Sequence, residues 1–526
     1  MVDTPALHAY ARARLADADG AGRIAVDGYA TALAADPGNA VLALRSYRQA
    51  MEAGDRVLAV KAARVLDSAG VLPRDAVLLL IVESLSRKDW DNARALADRL
   101  EAEETFAFLA PYVASWVSVA DGPYAPPEID TKSAFGALAG RYRDEHVALQ
   151  ALARGDVDAA RPAIARALSL RTDVLPGLRV ALALRLAALG QRAEADKLLD
   201  LAEPGLAPAQ ALLANGARIT APPMTPQQGM ARLLSRLAAD VGEGDSRTLA
   251  LNLARLASFA DPASDEMRVG IARELAASGL YEPAIAEASK VPPRSLWAAA
   301  ADALRIAALA QGGQQSEALQ LARAATTRDG ATAAQYLQLG NLLADAGQFG
   351  DAADAYRAAQ RLYPDGTVPW SLHLLEGSAL ERGGRWDEAK RALTRAAELA
   401  PQEPVVLNYL GYAQVERRQN VPAALALLRK ASALRPDDPS ISDSLGWAHF
   451  VAGDAKSAIA PLEKAASGAP DDATINEHLG DALWAVGRRF EARYAWAAAG
   501  LFAEGPAADR INAKAKAGFR PELAAP

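Results

Sequence analysis

The stretch YLQLGNLLADAGQFGDAADAYRAAQRLYP, residues 336–364, decides the fold, because the chain repeats its pattern four more times. The pattern returns as HLLEGSALERGGRWDEAKRALTRAAELAP (373–401), NYLGYAQVERRQNVPAALALLRKASALRP (408–436), SDSLGWAHFVAGDAKSAIAPLEKAASGAP (442–470) and EHLGDALWAVGRRFEARYAWAAA (477–499). Gly340, Gly377, Gly411, Gly446 and Gly480 hold the same place in each copy, at spacings of 37, 34, 35 and 34. Ala352, Ala389, Ala424, Ala458 and Ala492 follow 12 or 13 residues later. Four residues beyond each stands a large side chain: Tyr356, Leu393, Leu428, Leu462 or Trp496. Four copies close on Pro364, Pro401, Pro436 and Pro470. Apolar residues at such offsets mark one face of a helix, so each copy reads as two helices. A glycine in the first and an alanine in the second let the two approach closely. The large residue fills the space beside that contact, and proline stops the second helix.

A two-helix unit with a period near 34 resembles the tetratricopeptide repeat. The implied fold is all-α, a right-handed superhelical solenoid of antiparallel helix pairs. Composition agrees: alanine, the best helix former, supplies 126 of the 526 residues, and aromatics only 6%. A chain this long exceeds one compact core, as an array does. The rest of the chain repeats the layout more loosely. Residues 5–37 keep Ala25, Tyr29, Ala32 and Pro37 at the same offsets, and KDWDNARAL (88–96) echoes GRWDEAKRAL (384–393). Second helices are expected at 155–168, 190–202, 279–288 and 313–325, for about ten to twelve units. The expected divisions are degenerate repeats over 1–120, a proline-rich loop at 121–130, repeats over 131–214, an irregular helical segment at 215–261 and the main array at 262–504. Residues 505–526, which carry Lys514, Lys516 and Arg520, read as a capping helix and then a disordered tail.

The same composition excludes several functions. A net charge of −7 argues against general nucleic-acid binding, which needs a basic surface. The absence of cysteine excludes disulfides, thiolate metal sites and cysteine nucleophiles. No apolar run of about 18 residues predicts a membrane span. The first residues lack the apolar run of a signal peptide, which suits a cytoplasmic chain; a periplasmic or envelope location is the alternative for a chain given without its leader. Nucleotide-binding, hydrolase and zinc-protease motifs are all missing, so no catalytic residue, cofactor or metal is expected. His478 and Asp481 lie three apart on one helical face, but a metal needs three or four ligands, and His478 reads as a surface or interhelix residue.

First helices of such arrays line a binding groove. The positions three before, one after and four after each marker glycine share a helical face. In the last three copies this stripe is Asn408, Tyr412 and Val415; Asp443, Trp447 and Phe450; Glu477, Asp481 and Trp484. In the two before, it is Leu337, Asn341 and Ala344; Leu374, Ser378 and Glu381. The C-terminal groove is thus aromatic and acidic, which suits a peptide with apolar anchors and a basic group. The expected partner-binding residues are Asn408, Tyr412, Asp443, Trp447, Phe450, Glu477, Asp481 and Trp484. Trp447 and Trp484 have core packing as their alternative role. Trp496, in place of Leu or Tyr at a buried offset, reads as core.

The words LNYLGY (407–412), DSLGWA (443–448), HLGDALW (478–484) and GRRFEARYAW (487–496) resemble a tetratricopeptide family of alphaproteobacteria. More distantly they are similar to the pseudomonad lipoprotein adaptor of a carboxyl-terminal processing protease. The resemblance implies a noncatalytic scaffold or adaptor in the cell envelope, and names no partner-contacting residue. The sequence has neither the export signal nor the lipobox cysteine usual there, a departure from the family's pattern for lipid anchoring. Binding of C-terminal carboxylates by a Lys/Asn clamp is disfavoured as well, since Asp443 and Glu477 carry the wrong sign. The expected function is therefore protein–protein interaction through the groove. A sensor for a small ligand or signalling peptide is the alternative. A repeat-bearing enzyme is a more remote one, with no stretch of about 100 residues free of helical pattern to house its catalytic domain.

Overall fold

The computed structural model describes residues 4–18, 22–102, 106–130, 132, 135–169, 175–200, 203, 205–216, 219–242, 246–328, 330–523 and 525. Among the described residues there are twenty-nine α-helices and no strand. No described helix is long and apolar enough to cross a membrane. The chain divides into two units, Met1–Leu321 and Ala322–Pro526.

The second unit holds the five well-marked repeats as antiparallel pairs: Ala333–Asp345 with Phe349–Gln360, Trp370–Arg382 with Trp386–Leu399, Pro404–Glu416 with Val421–Leu434, Pro439–Val451 with Ala455–Gly468, and Ala473–Ala485 with Arg489–Phe502. The marker glycines explain the pairing. A Cβ on Gly340 would lie 2.5 Å from the Tyr356 ring. On Gly377, Gly411 and Gly446 it would lie 2.6, 2.7 and 2.5 Å from the Cγ of Leu393, Leu428 and Leu462. On Gly480 it would lie 2.4 Å from the Trp496 ring. Real Cβ atoms do not come so close, so each large residue occupies the space that its glycine vacates. Tyr356, Leu393, Leu428, Leu462 and Trp496 are all buried, Trp496 completely, as expected of a core position.

Turns and caps follow from the same phrase. The proline-aspartate links place Asp438 and Asp472 as N-caps, accepting from the backbone N–H groups of Ser440 and Ile441, and of Thr474 and Ile475. Between the helices of a pair, Gly347, Gly384, Gly453 and Gly487 take positive φ. The third repeat writes ERRQN at that turn and has no glycine, and there Arg418 and Asn420 adopt φ of 50° and 49° instead.

The first unit departs from a nearest-neighbour array. Helix Arg74–Arg87 is buried without interruption from Ala76 to Val82, so it needs cover on every side. Its cover includes the distant pair Pro226–Gly242 and Arg247–Ala260, which also reaches Ala110–Ala120 and Ala40–Ala53. Arg255, nearly fully buried, donates from Nε to the Met51 carbonyl at 3.0 Å and from Nη2 to that of Glu52 at 2.9 Å. Arg56 reaches back to the Phe259 carbonyl at 3.1 Å. Gly229 is where the pair slides over Trp116, whose ring would lie 2.1 Å from a Cβ there. Residues 215–261, which the sequence marks only as an irregular helical segment, thus contribute two long helices that cross the earlier repeats.

Candidate peptide groove of the second unit

The eight residues of the expected stripe lie on three successive first helices, Pro404–Glu416, Pro439–Val451 and Ala473–Ala485. The structure divides them into an open part and a covered part. Asn408 and Tyr412, half-buried, line a cleft of about 540 Å³ together with Glu416, Ser440, Asp443 and Asp472. Burial pushes the Glu416 carboxyl above its usual range, opposed by a hydrogen bond from Tyr412 and the charge of Arg417. Burial, then the charges of Glu416 and Asp443, push the Tyr412 hydroxyl up as well. Glu381 and Arg382 also line the cleft, so its wall holds four carboxylates and one arginine.

Asp443 joins the two parts. Its carboxylate accepts from His478 Nδ1, at 3.0 Å from both oxygens. A carboxylate has no proton to give, so Nδ1 carries it. His478 is completely buried. Burial alone would drive its pKa down, but the charge and hydrogen bond of Asp443, with Asp481 and Glu477 behind, outweigh it and raise the value above 6.5. The imidazole stacks on Trp447, centroids 4.0 Å apart at 11°, and Trp447 stacks on Phe450 at 4.9 Å and 17°. His478 is thus a buried bridge between helices. Among the described residues no cluster of His, Asp or Glu could hold a metal. Trp447 Nε1 and His478 Nε2 are buried and have no hydrogen-bond partner in the structure.

The covered part lies under the chain's own C-terminal segment. Helix Gly505–Ala517 packs on Arg489–Phe502, as a capping helix does. From it Arg510 donates to both oxygens of Glu477, at 2.8 and 2.7 Å. Lys514 is completely buried; its ammonium donates to Glu477 Oε1 at 2.6 Å and to both oxygens of Asp481 at 2.8 and 2.7 Å. Trp496 Nε1 and the Ala525 backbone N–H complete the shell of Asp481, at 2.9 and 3.3 Å. Gly518 then turns the chain, with φ +86°, close over the Trp484 ring. Phe519 meets Phe450 edge-on at 6.3 Å, and Ala525 is buried in one cluster with Trp447 and Val415. In the stretch that the sequence marks as a disordered tail, Gly518 and Ala525 are buried against this face and Phe519 is half-buried, while Arg520 and Glu522 are exposed. Trp447, Glu477 and Asp481 are therefore buried. Sequence reading finds the acidic and aromatic stripe. It places Lys514 only in the tail, without a partner, and misses Arg510 and Phe519, because no repeat pattern marks these three.

The first unit has a cleft of its own, about 430 Å³, lined by Glu145, His146, Arg232, Arg236, Glu266 and Trp297 among others. Within it Arg232 pairs with Glu266 at 2.6 Å and Arg236 with Glu145 at 3.9 Å. Burial holds His146 neutral, with a pKa of about 3, and its Nδ1 accepts from Trp116 Nε1 at 2.9 Å.

No protein-family model matches the chain, and no curated protein matches it. Among solved structures it is similar to MamA of AMB-1, at 23% identity over 32% of this chain and 96% of that one, with a TM-score of 0.28. It is similar to MamA (41-end) of Desulfovibrio magneticus RS-1, at 18% identity over 33% and 97%, with a TM-score of 0.30. The APC/C hetero-tetramer Cut9-Hcn1 aligns over 98% of this chain and 97% of that one, at 15% identity and a TM-score of 0.39. Scores of this size carry no argument about activity or partner. The fold class rests on the helix pairs themselves: the described residues are all-α, and the second unit is a solenoid of antiparallel helix pairs with a period near 34.

Proposed function

We propose that the protein is a noncatalytic interaction scaffold or adaptor whose second unit binds a polypeptide segment along its first helices. One observation supports this above the others: the face lined by Trp447, Phe450, Glu477, Asp481 and Trp484 already holds a polypeptide segment, its own residues 510–523 and 525, through charge pairs and ring contacts. The adjoining cleft beside Asn408 and Tyr412 is open and of a size that takes a few side chains. By the resemblance of its C-terminal repeats, the partner belongs to a cell-envelope protease or assembly complex.

The test is partner capture in the source organism, using the full chain with any upstream leader left intact. Crosslinked proteins are identified by mass spectrometry beside a matched bait carrying Asn408→Ala and Tyr412→Ala. Enrichment of an envelope protease or assembly factor that the double variant loses supports the adaptor. Equal enrichment by both baits moves the site out of this groove. If no protein is enriched, ligand-dependent heat stabilisation becomes the assay for a small-ligand sensor.

A further inference from the structure

The two sections of the C-terminal segment are held very differently. The capping helix is anchored by Arg510 and Lys514, with five hydrogen bonds to two buried carboxylates. In the strap that follows, Gly518–Leu523 and Ala525, Gly518 is buried against the Trp484 ring, Phe519 is half-buried against Phe450, and Ala525 is buried and donates at 3.3 Å to Asp481, while Arg520 and Glu522 are exposed. Segments with so few buried contacts open at low free-energy cost while their surroundings stay folded. What the strap covers is not built as plain core. Beneath and beside it lie a stack of three rings, Phe450, Trp447 and His478, with two buried ring nitrogens lacking hydrogen-bond partners.

The strap also has a direction. It starts at Phe519 against Phe450 and ends at Ala525, in a cluster that Tyr412 joins. Tyr412 lines the open cleft, where Glu381, Glu416, Asp443 and Asp472 supply carboxylates against one lining cation, Arg382, and where Glu381 is paired with Arg417. Of these, Asp443 is matched by His478 and Asp472 is spent capping its helix. Glu416 faces Tyr412 and has Arg417 at 3.7 Å for its cation. A segment lying as the strap lies would therefore bring an aromatic residue to Phe450 and, six residues or more further on, a side chain to the acidic cleft.

On the reading that this groove binds polypeptide, we propose that its partner carries an aromatic residue followed six or more residues later by a lysine or arginine, and that it enters by displacing the chain's own strap. The aromatic group replaces Phe519 on Phe450 and the cation settles beside Glu416. Recognition is then a competition. A tethered strap acts at an effective concentration in the millimolar range, so it sets a threshold that weak ligands do not pass.

The sequence offers a clean probe, because it has no cysteine. In the full chain, Ala525→Cys places a single thiol at the buried end of the strap. In a separate control, Ala465→Cys places one at a completely buried position in Ala455–Gly468. The ligand is a synthetic peptide, GFRPELAAPKK, which is the strap sequence followed by two lysines. Its counterparts end in two glutamates or replace the phenylalanine by alanine. The expected result is that the Ala525→Cys variant reacts with a thiol reagent well before the Ala465→Cys variant. The lysine peptide speeds the first reaction and leaves the control unchanged, and both counterpart peptides fail. Phe519→Ala in the full chain should raise affinity for the lysine peptide about tenfold or more, with the melting temperature of the repeats retained. Equal protection of the two thiols overturns the proposal, since the strap is then a fixed part of the fold. Opening at position 525 with no peptide binding, or with equal binding of the glutamate peptide, overturns the partner chemistry. Neither outcome touches the groove reading itself, which stands or falls with the Asn408→Ala, Tyr412→Ala capture.

Discussion

Replacing Lys514 by methionine should strand a buried carboxylate, and the size of the effect follows from what remains. Methionine keeps most of the apolar stem and removes the charge. Glu477 retains Arg510 at 2.8 and 2.7 Å, so it stays paired. Asp481 keeps only two neutral donors, Trp496 Nε1 and the Ala525 N–H. Breaking a buried pair from one side costs about 3–5 kcal/mol. Asp481 has an escape, which is to take up a proton. Burial already raises its pKa above 3.8 against the pull of Lys514, and losing the lysine raises it further. Holding a carboxyl neutral costs about 1.36 kcal/mol per pH unit above its ordinary value. The ceiling is therefore about 4 kcal/mol at pH 7 and about 1.6 kcal/mol at pH 5. The sign follows from linkage: a carboxyl with a raised folded pKa favours the folded state at low pH, and that advantage is lost as pH rises through the raised value. The assay is urea unfolding followed by tryptophan fluorescence at pH 5 and 7, reading the transition of the C-terminal repeats, since an array need not unfold as one unit. Adding Asp481→Asn should remove the pH dependence and restore most of the loss. A penalty under about 1 kcal/mol at pH 7, or an equal penalty at both pH values, would refute the reasoning.

The His478–Asp443 pair predicts a second pH effect. His478 has a raised folded pKa, so its stabilisation is complete below about 6.5 and is lost as pH climbs through the folded value. The melting temperature of the second unit should thus fall from pH 6 to pH 9, and Asp443→Asn should flatten that slope. Gly446→Ala puts a Cβ 2.5 Å from Leu462 Cγ and should cost about 1–3 kcal/mol by thermal unfolding. Leu462→Ala added to it should cost less than the two single losses together. In the first unit, Gly229→Ala drives a Cβ against the fully buried Trp116 and should destabilise by a similar amount. A wild-type melt there would mean that the crossing of Pro226–Gly242 is looser than described.

What the residues determine unaided is the repeated unit. Glycine at 340, 377, 411, 446 and 480, a large residue beside it and proline at the end are local, periodic signals, and helix pairing obeys them because no Cβ fits in the way. The acidic and aromatic stripe was readable for the same reason, since 3.6 periodicity assigns a face from spacing alone. Periodicity does not say what lies on that face. Arg510, Lys514 and Phe519 stand outside any repeat, and their pairing with Glu477, Asp481 and Phe450 joins residues 33 to 69 positions apart. The first unit adds a second case. The uniformly apolar run of Arg74–Arg87 demands cover on every side, but only the tertiary structure decides that the cover comes from residues 226–260, near 150 positions later. Local patterns fix which residues pair within a unit, because neighbours in sequence meet without loop entropy to oppose them. Burial of charge and of apolar surface between distant segments is settled by the whole fold, where a lysine finds two carboxylates and a groove is lined or filled.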